Sequence, residues 1–230
     1  MRKGTQYLTN RDREILLFVH RFKVATDDLL AQRFFDLDRR NTNVLRVTRK
    51  LVNRNLLKRM VLGGRDTYLV LTRCGCKNIG VLDRTPKPMT EQSLPAALAI
   101  AHHCVRNDDV KRLTSAKFAE TYTELHRPGL NSSNYYLTKR EGRFVLGLFL
   151  VDRGGTAHRI KRKIRKFVAQ REDLPHFMSL ISGDRVEITV LTGLEGQQRI
   201  VERHLGGETH LGIRVRVAMV PELGEMLTMK

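Results

Sequence analysis

The sequence lacks several features that mark common classes of protein. Its 230 residues include no tryptophan and only three cysteines. An odd and small number of cysteines does not support a disulfide framework, so we expect a reducing, cytoplasmic environment. No apolar run approaches the roughly 18 residues of a membrane-spanning helix, and residues 1–4 lead into polar residues and not into the apolar core of a signal peptide. We therefore expect no membrane partner.

Motifs for catalysis and metal binding are also scarce. The sequence contains no P-loop, no GxGxxG and no GxSxG, so nucleotide hydrolysis and serine-hydrolase chemistry find no support, and we expect no cofactor. Cys74-Gly75-Cys76 and His102-His103-Cys104 could in principle bind zinc. The first has a spacing less typical than CxxC, and adjacent residues on a helix diverge. We expect no metal site, and we interpret Cys76 and Cys104 as small buried hydrophobic residues.

Positive charge is abundant, and it lies in two segments. The chain has 42 Lys and Arg against 24 Asp and Glu, a net charge of +18. Residues 1–78 hold 18 basic and 7 acidic residues, and residues 139–171 hold 11 basic and 2 acidic residues. The remainder of the chain is slightly acidic. This distribution indicates a polyanionic partner, most simply nucleic acid, that meets two separate basic surfaces.

The first basic segment has the pattern of three helices followed by a hairpin. Thr9 or Asn10 can cap a first helix, and a second helix follows Thr26. A third helix is predicted over residues 41–55. Two short strands, 57–62 and 67–71, flank Gly63-Gly64-Arg65-Asp66, which supplies a flexible turn. This order predicts a winged helix-turn-helix domain over residues 1–82.

The third helix has one apolar and one polar face. The face expected to pack inward consists of Val44, Leu45, Thr48, Leu51, Val52 and Leu56. The opposite face carries arginines and asparagines, which can bond to guanine and adenine edges in the major groove of duplex DNA. The predicted DNA-binding residues of this domain are Arg39, Arg40, Thr42, Asn43, Arg46, Arg49, Lys50 and Asn53, joined by Lys58 and Arg65 from the hairpin; Arg59 could add a contact to the DNA backbone. The alternative is a protein-interaction module whose polar helix face is solvated.

Residues 83–93 contain two prolines and predict a linker to a second domain over residues 94–230. That domain has an α/β pattern: helices are predicted over 94–113, 157–170 and 195–205, and strands at 135–137, 144–151, 186–191 and 213–220. The helix over 157–170 should turn Ile160, Ile164, Phe167 and Val168 inward. Its outer face predicts contacts to DNA phosphates by Arg159, Arg162, Lys163 and Lys166; the alternative is a solvated face.

Taken in order, several segments of the chain resemble the bacterial replication-relaxation family. They are residues 8–16 with the helix that ends at Phe34-Phe35, residues 67–75, residues 101–108, Val151-Asp152-Arg153-Gly154-Gly155-Thr156, and the helix over 161–167. The resemblance implies a restriction-endonuclease-like second domain in an α+β protein. It also implies an accessory DNA-binding protein of a plasmid or conjugative element that acts at an origin of transfer or replication and serves as a local transcriptional regulator.

The same resemblance bears on catalysis. Two acidic positions of the family fall on Gly129 and Leu150, which have no carboxylate, so the nuclease-like domain is expected to be catalytically degenerate. A rival function is a metal-dependent nuclease that uses Asp152 with Glu120 or Glu124. A third possibility is a scaffold that recruits a relaxase or a replication protein. Double-stranded DNA is the expected partner, and a homodimer is expected because winged helices often bind two-fold sites.

Overall fold

The computed structural model describes residues 8–35, 40–63, 66–81, 89–90, 92–130, 132–205 and 212–228. The chain is of the mixed α+β class, as predicted. It forms two compact units, Met1–Ala101 and His102–Lys230. The division falls within helix α5 (Leu94–Arg106), C-terminal to the predicted linker, of which residues 83–88 and 91 lie outside the described part. Every helix in the described ranges is too short or too polar to traverse a lipid bilayer.

The first unit contains three helices and a hairpin in the predicted order. The helices are α1 (Asn10–Phe22), α2 (Asp27–Phe34) and α3 (Arg40–Asn53). The antiparallel hairpin consists of β1 (Leu57–Gly63) and β2 (Asp66–Leu71), and the short helix α4 (Arg73–Asn78) and the first part of α5 follow it. The sequence pattern did not predict α4.

Capping residues and apolar spacing explain where these helices lie. Thr9, and not Asn10, caps α1: its hydroxyl accepts the N–H of Asp12 at 3.1 Å, and the Asp12 carboxylate accepts the N–H of Thr9 at 3.0 Å. Thr26 caps α2 in the same way, accepting the N–H of Leu29 at 3.2 Å. Ile15, Leu16, Leu29, Leu30 and Leu51 are wholly buried and form the centre of this small core.

The segment between α1 and α2 joins the hairpin. Ala25 and Leu69 exchange two backbone hydrogen bonds, of 3.1 and 2.7 Å, so that Ala25 extends the two-stranded sheet by one bridge. Thr72, which caps α4, donates its hydroxyl to the Leu56 carbonyl at 3.2 Å. The hairpin is therefore tied to the helices on both sides of its sequence.

The second unit is built on a five-stranded sheet. Its strands are β3 (Lys111–Arg112), β4 (Tyr135–Arg140), β5 (Arg143–Val151), β6 (Val186–Thr192) and β7 (Arg214–Met219), in that spatial order. The helices are the end of α5, α6 (Ser115–Thr121), α7 (Ala157–Ala169), α8 (Pro175–Ser182), α9 (Glu195–Leu205) and α10 (Pro221–Thr228), with a 3₁₀ turn at Thr123–Leu125.

The sheet is antiparallel at one end and parallel at the other. β3, β4 and β5 pair antiparallel, whereas β5, β6 and β7 pair parallel, with α7 and α8 crossing from β5 to β6 and α9 crossing from β6 to β7. All seven residues of β6 are buried, as expected for a strand covered on both faces. The main core lies where Ile160 and Ile164 of α7 join Leu148, Ile188 and Val190 of the sheet. This packing directs the opposite face of α7 outward.

Two sequence predictions for this unit were wrong in detail. The helix predicted over residues 94–113 ends at Arg106, because Asn107 donates its side chain to the His103 carbonyl at 2.7 Å and a turn follows. Leu113 is buried as predicted, but it follows β3 and its N–H donates to the Tyr135 carbonyl at 2.8 Å. Phe144, placed in a buried strand by its apolar neighbours, is 60% exposed at the beginning of β5.

Candidate nucleic-acid interface

The outward face of α3 brings together five of the ten side chains of the first domain that are predicted to bind DNA. A shallow depression of about 470 Å³ is lined by Thr42, Leu45, Arg46, Arg49, Lys50 and Asn53. Thr42, Arg46, Arg49 and Asn53 are exposed, while Asn43 is half-buried at the margin of this face. Helical spacing explains the grouping, because residues three and four apart lie side by side. We call the six lining residues the α3 face.

Arg46 and Arg49 differ from many arginines of this protein. Neither makes a hydrogen bond or an ion pair with any residue in the described part of the chain. Elsewhere arginines pair with acids, as in Arg59–Asp27, Arg106–Glu222, Arg127–Asp173, Arg140–Asp184 and Arg199–Glu195. Both guanidinium groups of the α3 face therefore keep their full set of donors for an external partner.

Lys50 has a different role on the same face. Its Nζ lies 2.6 Å from Oδ2 of Asp12, whose side chain is 1% exposed. Burial would raise the pKa of Asp12, but hydrogen bonds from Lys50 and Thr9 outweigh it and hold the pKa below its ordinary value. Lys50 thus attaches α3 to the capped beginning of α1. The sequence placed it among the DNA-binding residues, but this contact spans 38 positions of the chain and has no signal in the local pattern.

Arg59 is also used within the unit. Its guanidinium donates to Asp27 at 2.6 Å, to Thr67 at 2.8 Å and to Thr48 at 3.1 Å, and so connects the hairpin with α2 and α3. The sequence suggested a contact of Arg59 with the DNA backbone; the structure uses this side chain to fix the hairpin against the helices.

The remaining predicted residues of the first unit are described to different degrees. Lys58 is exposed on β1 and is placed as the prediction requires. Arg39 and Arg65 lie outside the described residues, and of Arg40 only the backbone, at the beginning of α3, is described.

Leu45 and Val52 are the two residues predicted to face inward on α3 that are only half-buried, and Leu45 is the one that lines the α3 face. Its position on the apolar side of the predicted helix put it in the core, together with Val44 and Thr48. Val44 and Thr48 are indeed 2% and 0% exposed, but Leu45 is only half-buried and lines the α3 face beside Arg46. Leu45 lies at the border of the apolar arc, where helical periodicity does not separate an inward side chain from an outward one.

The second basic surface lies on α7 and matches its prediction closely. Ile160, Ile164, Phe167 and Val168 are all buried, and Arg159, Arg162, Arg165 and Lys166 are exposed on the opposite side. None of these four cations makes an ion pair with an acidic residue in the described ranges. We call Arg159, Arg162, Lys163, Arg165 and Lys166 the α7 surface.

Lys163 is the member of the α7 surface with a perturbed charge. It is half-buried, and burial lowers its pKa, with further lowering by Arg159 and Arg153; Asp152 acts in the opposite direction. Asp152 is 2% exposed, and its Oδ1 accepts the N–H of Gly155 at 3.0 Å, which shapes the loop leading into α7. Positive charge is therefore concentrated where the helix begins. An anion bound there would favour the charged form of Lys163.

The carboxylates considered for a nuclease site face different partners. Glu120 pairs with Lys117 and Glu124 with His176, and the two glutamate side chains are 70% and 72% exposed, whereas Asp152 is buried. In the part of the chain that the structure describes, no three His, Cys, Asp or Glu side chains form a cluster that could hold a metal ion. Cys76 and Cys104 are buried, as the simpler interpretation predicted, and Cys74 is exposed.

The geometry therefore presents two sets of cations that have no acidic partner in the described residues, one on a helix of each compact unit. The resemblance to the replication-relaxation family stays a prediction. A comparison of the chain with models of known families, with curated proteins and with solved structures finds no match in any of the three.

Proposed function

We propose that this protein binds double-stranded DNA at a specific sequence, reading bases with the α3 face and holding phosphates with the α7 surface. The observation that carries the proposal is the pair of exposed arginines, Arg46 and Arg49, with no acidic partner among the described residues. Arginine is the side chain that most often recognises guanine in the major groove, because its fork matches two acceptors of that base. Thr42 and Asn53 add donors and acceptors on the same face.

The first unit is proposed to be a winged helix-turn-helix domain. Three helices and a hairpin occur in the required order, and the bridge between Ala25 and Leu69 joins the α1–α2 connection to the hairpin. The Lys50–Asp12 and Arg59–Asp27 pairs fix α3 and the hairpin relative to the rest of the unit. Such fixation favours base recognition, since base edges must be met with little error in position.

The second unit is proposed to be a restriction-endonuclease-like domain that binds DNA without cutting it. The five-stranded sheet, in which α7 follows β5, supports this proposal. The separate contacts of Glu120 with Lys117 and of Glu124 with His176 support it as well. The family resemblance adds the biological setting: a plasmid or conjugative element, an origin of transfer or replication, and a role in transcriptional regulation. Cytoplasmic location, homodimer formation and recruitment of a relaxase or replication protein belong to the same proposal and stay predictions.

The test begins with selection of preferred sites from a randomised duplex library by the full-length protein. Arg46→Ala and Arg49→Ala are each expected to reduce the preference for the selected site over random duplex by roughly 5- to 150-fold, the range for loss of one bidentate base contact of about 1–3 kcal/mol. Arg13→Ala removes an exposed arginine of α1 and should leave the preference unchanged.

Two results would contradict the proposal. The first concerns recognition: the selection enriches no sequence, or the double variant Arg46→Ala with Arg49→Ala keeps the full site preference of the wild type. The second concerns catalysis: purified protein incubated with supercoiled plasmid and Mg²⁺ or Mn²⁺ should leave the plasmid intact. Cleavage that disappears in Asp152→Ala would instead establish the nuclease.

A further inference from the structure

We infer that Leu45 recognises the C5-methyl group of a thymine within the DNA site, and so adds a specificity that the charged residues of the α3 face do not provide. This inference rests on the proposed function, because it names one base that the α3 face reads. Leu45 has no place in the sequence-based set of DNA-binding residues.

The side chain of Leu45 lies beside the arginines of the α3 face. Leu45 lines the same depression as Arg46 and Arg49. It lies four residues before Arg49, so the two side chains are neighbours along the helix surface. A base pair met by Arg49 would therefore have Leu45 next to it, and the groove edge of the adjacent pair would lie within its reach.

Leu45 also differs in chemistry from the other residues of the α3 face. Leu45 is half-buried, whereas the neighbouring α3 residues Val44, Val47 and Leu51 are between 0% and 5% exposed. Leu45 is the one aliphatic hydrocarbon side chain among the six residues that line the depression; the others are threonine, asparagine, lysine and two arginines. In the major groove, the thymine methyl is the apolar group that a hydrocarbon side chain can cover, and contact removes both surfaces from water.

The charged side chains of the α3 face are less suited than Leu45 to contact a methyl group. Lys50, on the same face, pairs with Asp12, and moving it over a base edge would leave the buried Asp12 carboxylate without its cationic partner. Arg46 and Arg49 prefer guanine. Thr42 offers a single methyl beside its hydroxyl, whereas Leu45 offers a larger apolar surface. Leu45 is thus the residue of the α3 face best suited to distinguish thymine from cytosine, whose C5 carries no methyl.

The experiment uses the full-length protein and the duplex selected from the randomised library. Each thymine of the site is replaced in turn by deoxyuridine, which removes the methyl group and leaves base pairing unchanged. At one position we expect the wild type to bind the thymine duplex about fourfold more tightly, which corresponds to ~0.8 kcal/mol for one buried apolar carbon. Leu45→Ala should bind both duplexes with equal affinity.

Two matched variants make the result specific. Leu17→Ala removes a leucine that is 39% exposed on α1, and it should keep the wild-type ratio of thymine to uracil affinity. Thr42→Ser removes the one methyl group of the α3 face that does not belong to Leu45 and keeps the hydroxyl, and it should keep the ratio as well. The uracil scan on wild-type protein requires no substitution, so a loss of stability in Leu45→Ala would not hide the effect.

The outcomes are distinguishable. Specific binding with no position sensitive to uracil would overturn this inference and leave the proposed function standing. A thymine preference that survives Leu45→Ala, or one that Thr42→Ser abolishes, would overturn it too. Absence of any specific duplex binding would overturn the proposed function and, with it, the inference.

Discussion

The two basic surfaces of this protein differ in what accompanies their cations. On the α3 face, two arginines stand among a threonine, an asparagine and a leucine, which offer hydrogen bonds and an apolar contact. On the α7 surface, the exposed side chains from Arg159 to Lys166 include four cations and no acid. Charge attracts any phosphate backbone, whereas varied chemistry can distinguish bases. We therefore assign sequence preference to the first surface and sequence-independent affinity to the second.

The two surfaces also differ in the charged residues that surround them. The α3 face is braced by buried or half-buried ion pairs, Lys50–Asp12 and Arg59–Asp27, which use cations of the first unit for internal structure. On α7, burial and then the charges of Arg159 and Arg153 lower the pKa of the half-buried Lys163, against the opposite effect of Asp152. Internal ion pairs therefore hold the α3 face in place, whereas an anion bound beside α7 would offset the repulsion between its cations.

The largest expected effect comes from the α7 surface. Replacing Arg159, Arg162 and Lys166 together by alanine should weaken binding to all duplexes alike, on the order of 10²–10³-fold at about 0.1 M salt, and reduce the slope of log affinity against log salt by about 2.7. Site preference should stay unchanged, because phosphates carry no sequence information. Salt-dependent mobility shifts on selected and random duplexes measure both quantities.

A control with the same change of charge is available in the second unit. Lys117 and Arg199 are exposed and Arg127 is half-buried, and the three already form the pairs Lys117–Glu120, Arg127–Asp173 and Arg199–Glu195. Their triple alanine variant should leave the slope close to that of the wild type. If both triple variants lower the slope equally, the α7 surface is no more than a solvated helix face.

Lys50 offers a smaller effect that separates structure from recognition on α3. Lys50→Met should lower the free energy of unfolding by roughly 1–3 kcal/mol, because the buried Asp12 carboxylate loses its partner. The pKa of Asp12 is lowered in the folded protein, so the stabilisation is present above the ordinary aspartate range and is lost as pH falls through the lowered value. Urea unfolding at neutral and acid pH measures the difference.

The double variant Lys50→Met with Asp12→Asn should recover part of the stability, since a neutral amide costs less to bury than an unpaired charge. Lys58→Met, at an exposed position of β1, is the matched control and should change stability little. Unchanged stability in Lys50→Met together with lost site preference would mean that Lys50 reads bases and that its pair with Asp12 is incidental.

Much of the fold follows from local patterns. The capped helices α1 and α2, the periodic helices α7 and α9 and the hairpin lie within a few residues of their predicted ranges. The shortest elements, α4 with six residues and β3 with two, are below the length at which periodicity is visible. The end of α5 depended on the Asn107 side chain, whose bond to the His103 carbonyl no hydrophobic pattern reports.

The sequence predicted where the two basic surfaces lie, but not which of their side chains are used for contacts within the protein. The distribution of charge in the sequence predicted both surfaces. On α7 the predicted inward residues are buried and Arg159, Arg162 and Lys166 are exposed, but Lys163 is half-buried. Lys50 and Arg59 contact acids 38 and 32 positions away, so their internal use follows only from the three-dimensional arrangement. For Leu45 the prediction was wrong in the opposite direction: it was assigned to the core but lines the outward face, because helical periodicity assigns a leucine on the edge of an apolar arc to the core.

The smallest effect tests the difference in electrostatics between the two surfaces. As pH rises towards the ordinary lysine range, Lys163 should lose its proton early, because burial and then Arg159 and Arg153 lower its pKa in the free protein. Bound phosphate favours the protonated form, so affinity for random duplex should fall as pH rises through the lowered pKa. The fall should approach about eightfold at ~0.1 M salt, the contribution of one phosphate contact.

Lys163→Arg should bind like the wild type at neutral pH and lack this early fall, since guanidinium stays charged throughout. Lys166→Arg, at an exposed position of the same helix, controls for the change of head group and should keep it. Site preference should follow pH in neither variant, because the proposed function assigns recognition to the arginines of the α3 face, and its one lysine is paired with Asp12. Identical pH curves for wild type and Lys163→Arg would show that no phosphate lies near Lys163, and phosphate binding would then have to be assigned to the exposed cations of α7 alone.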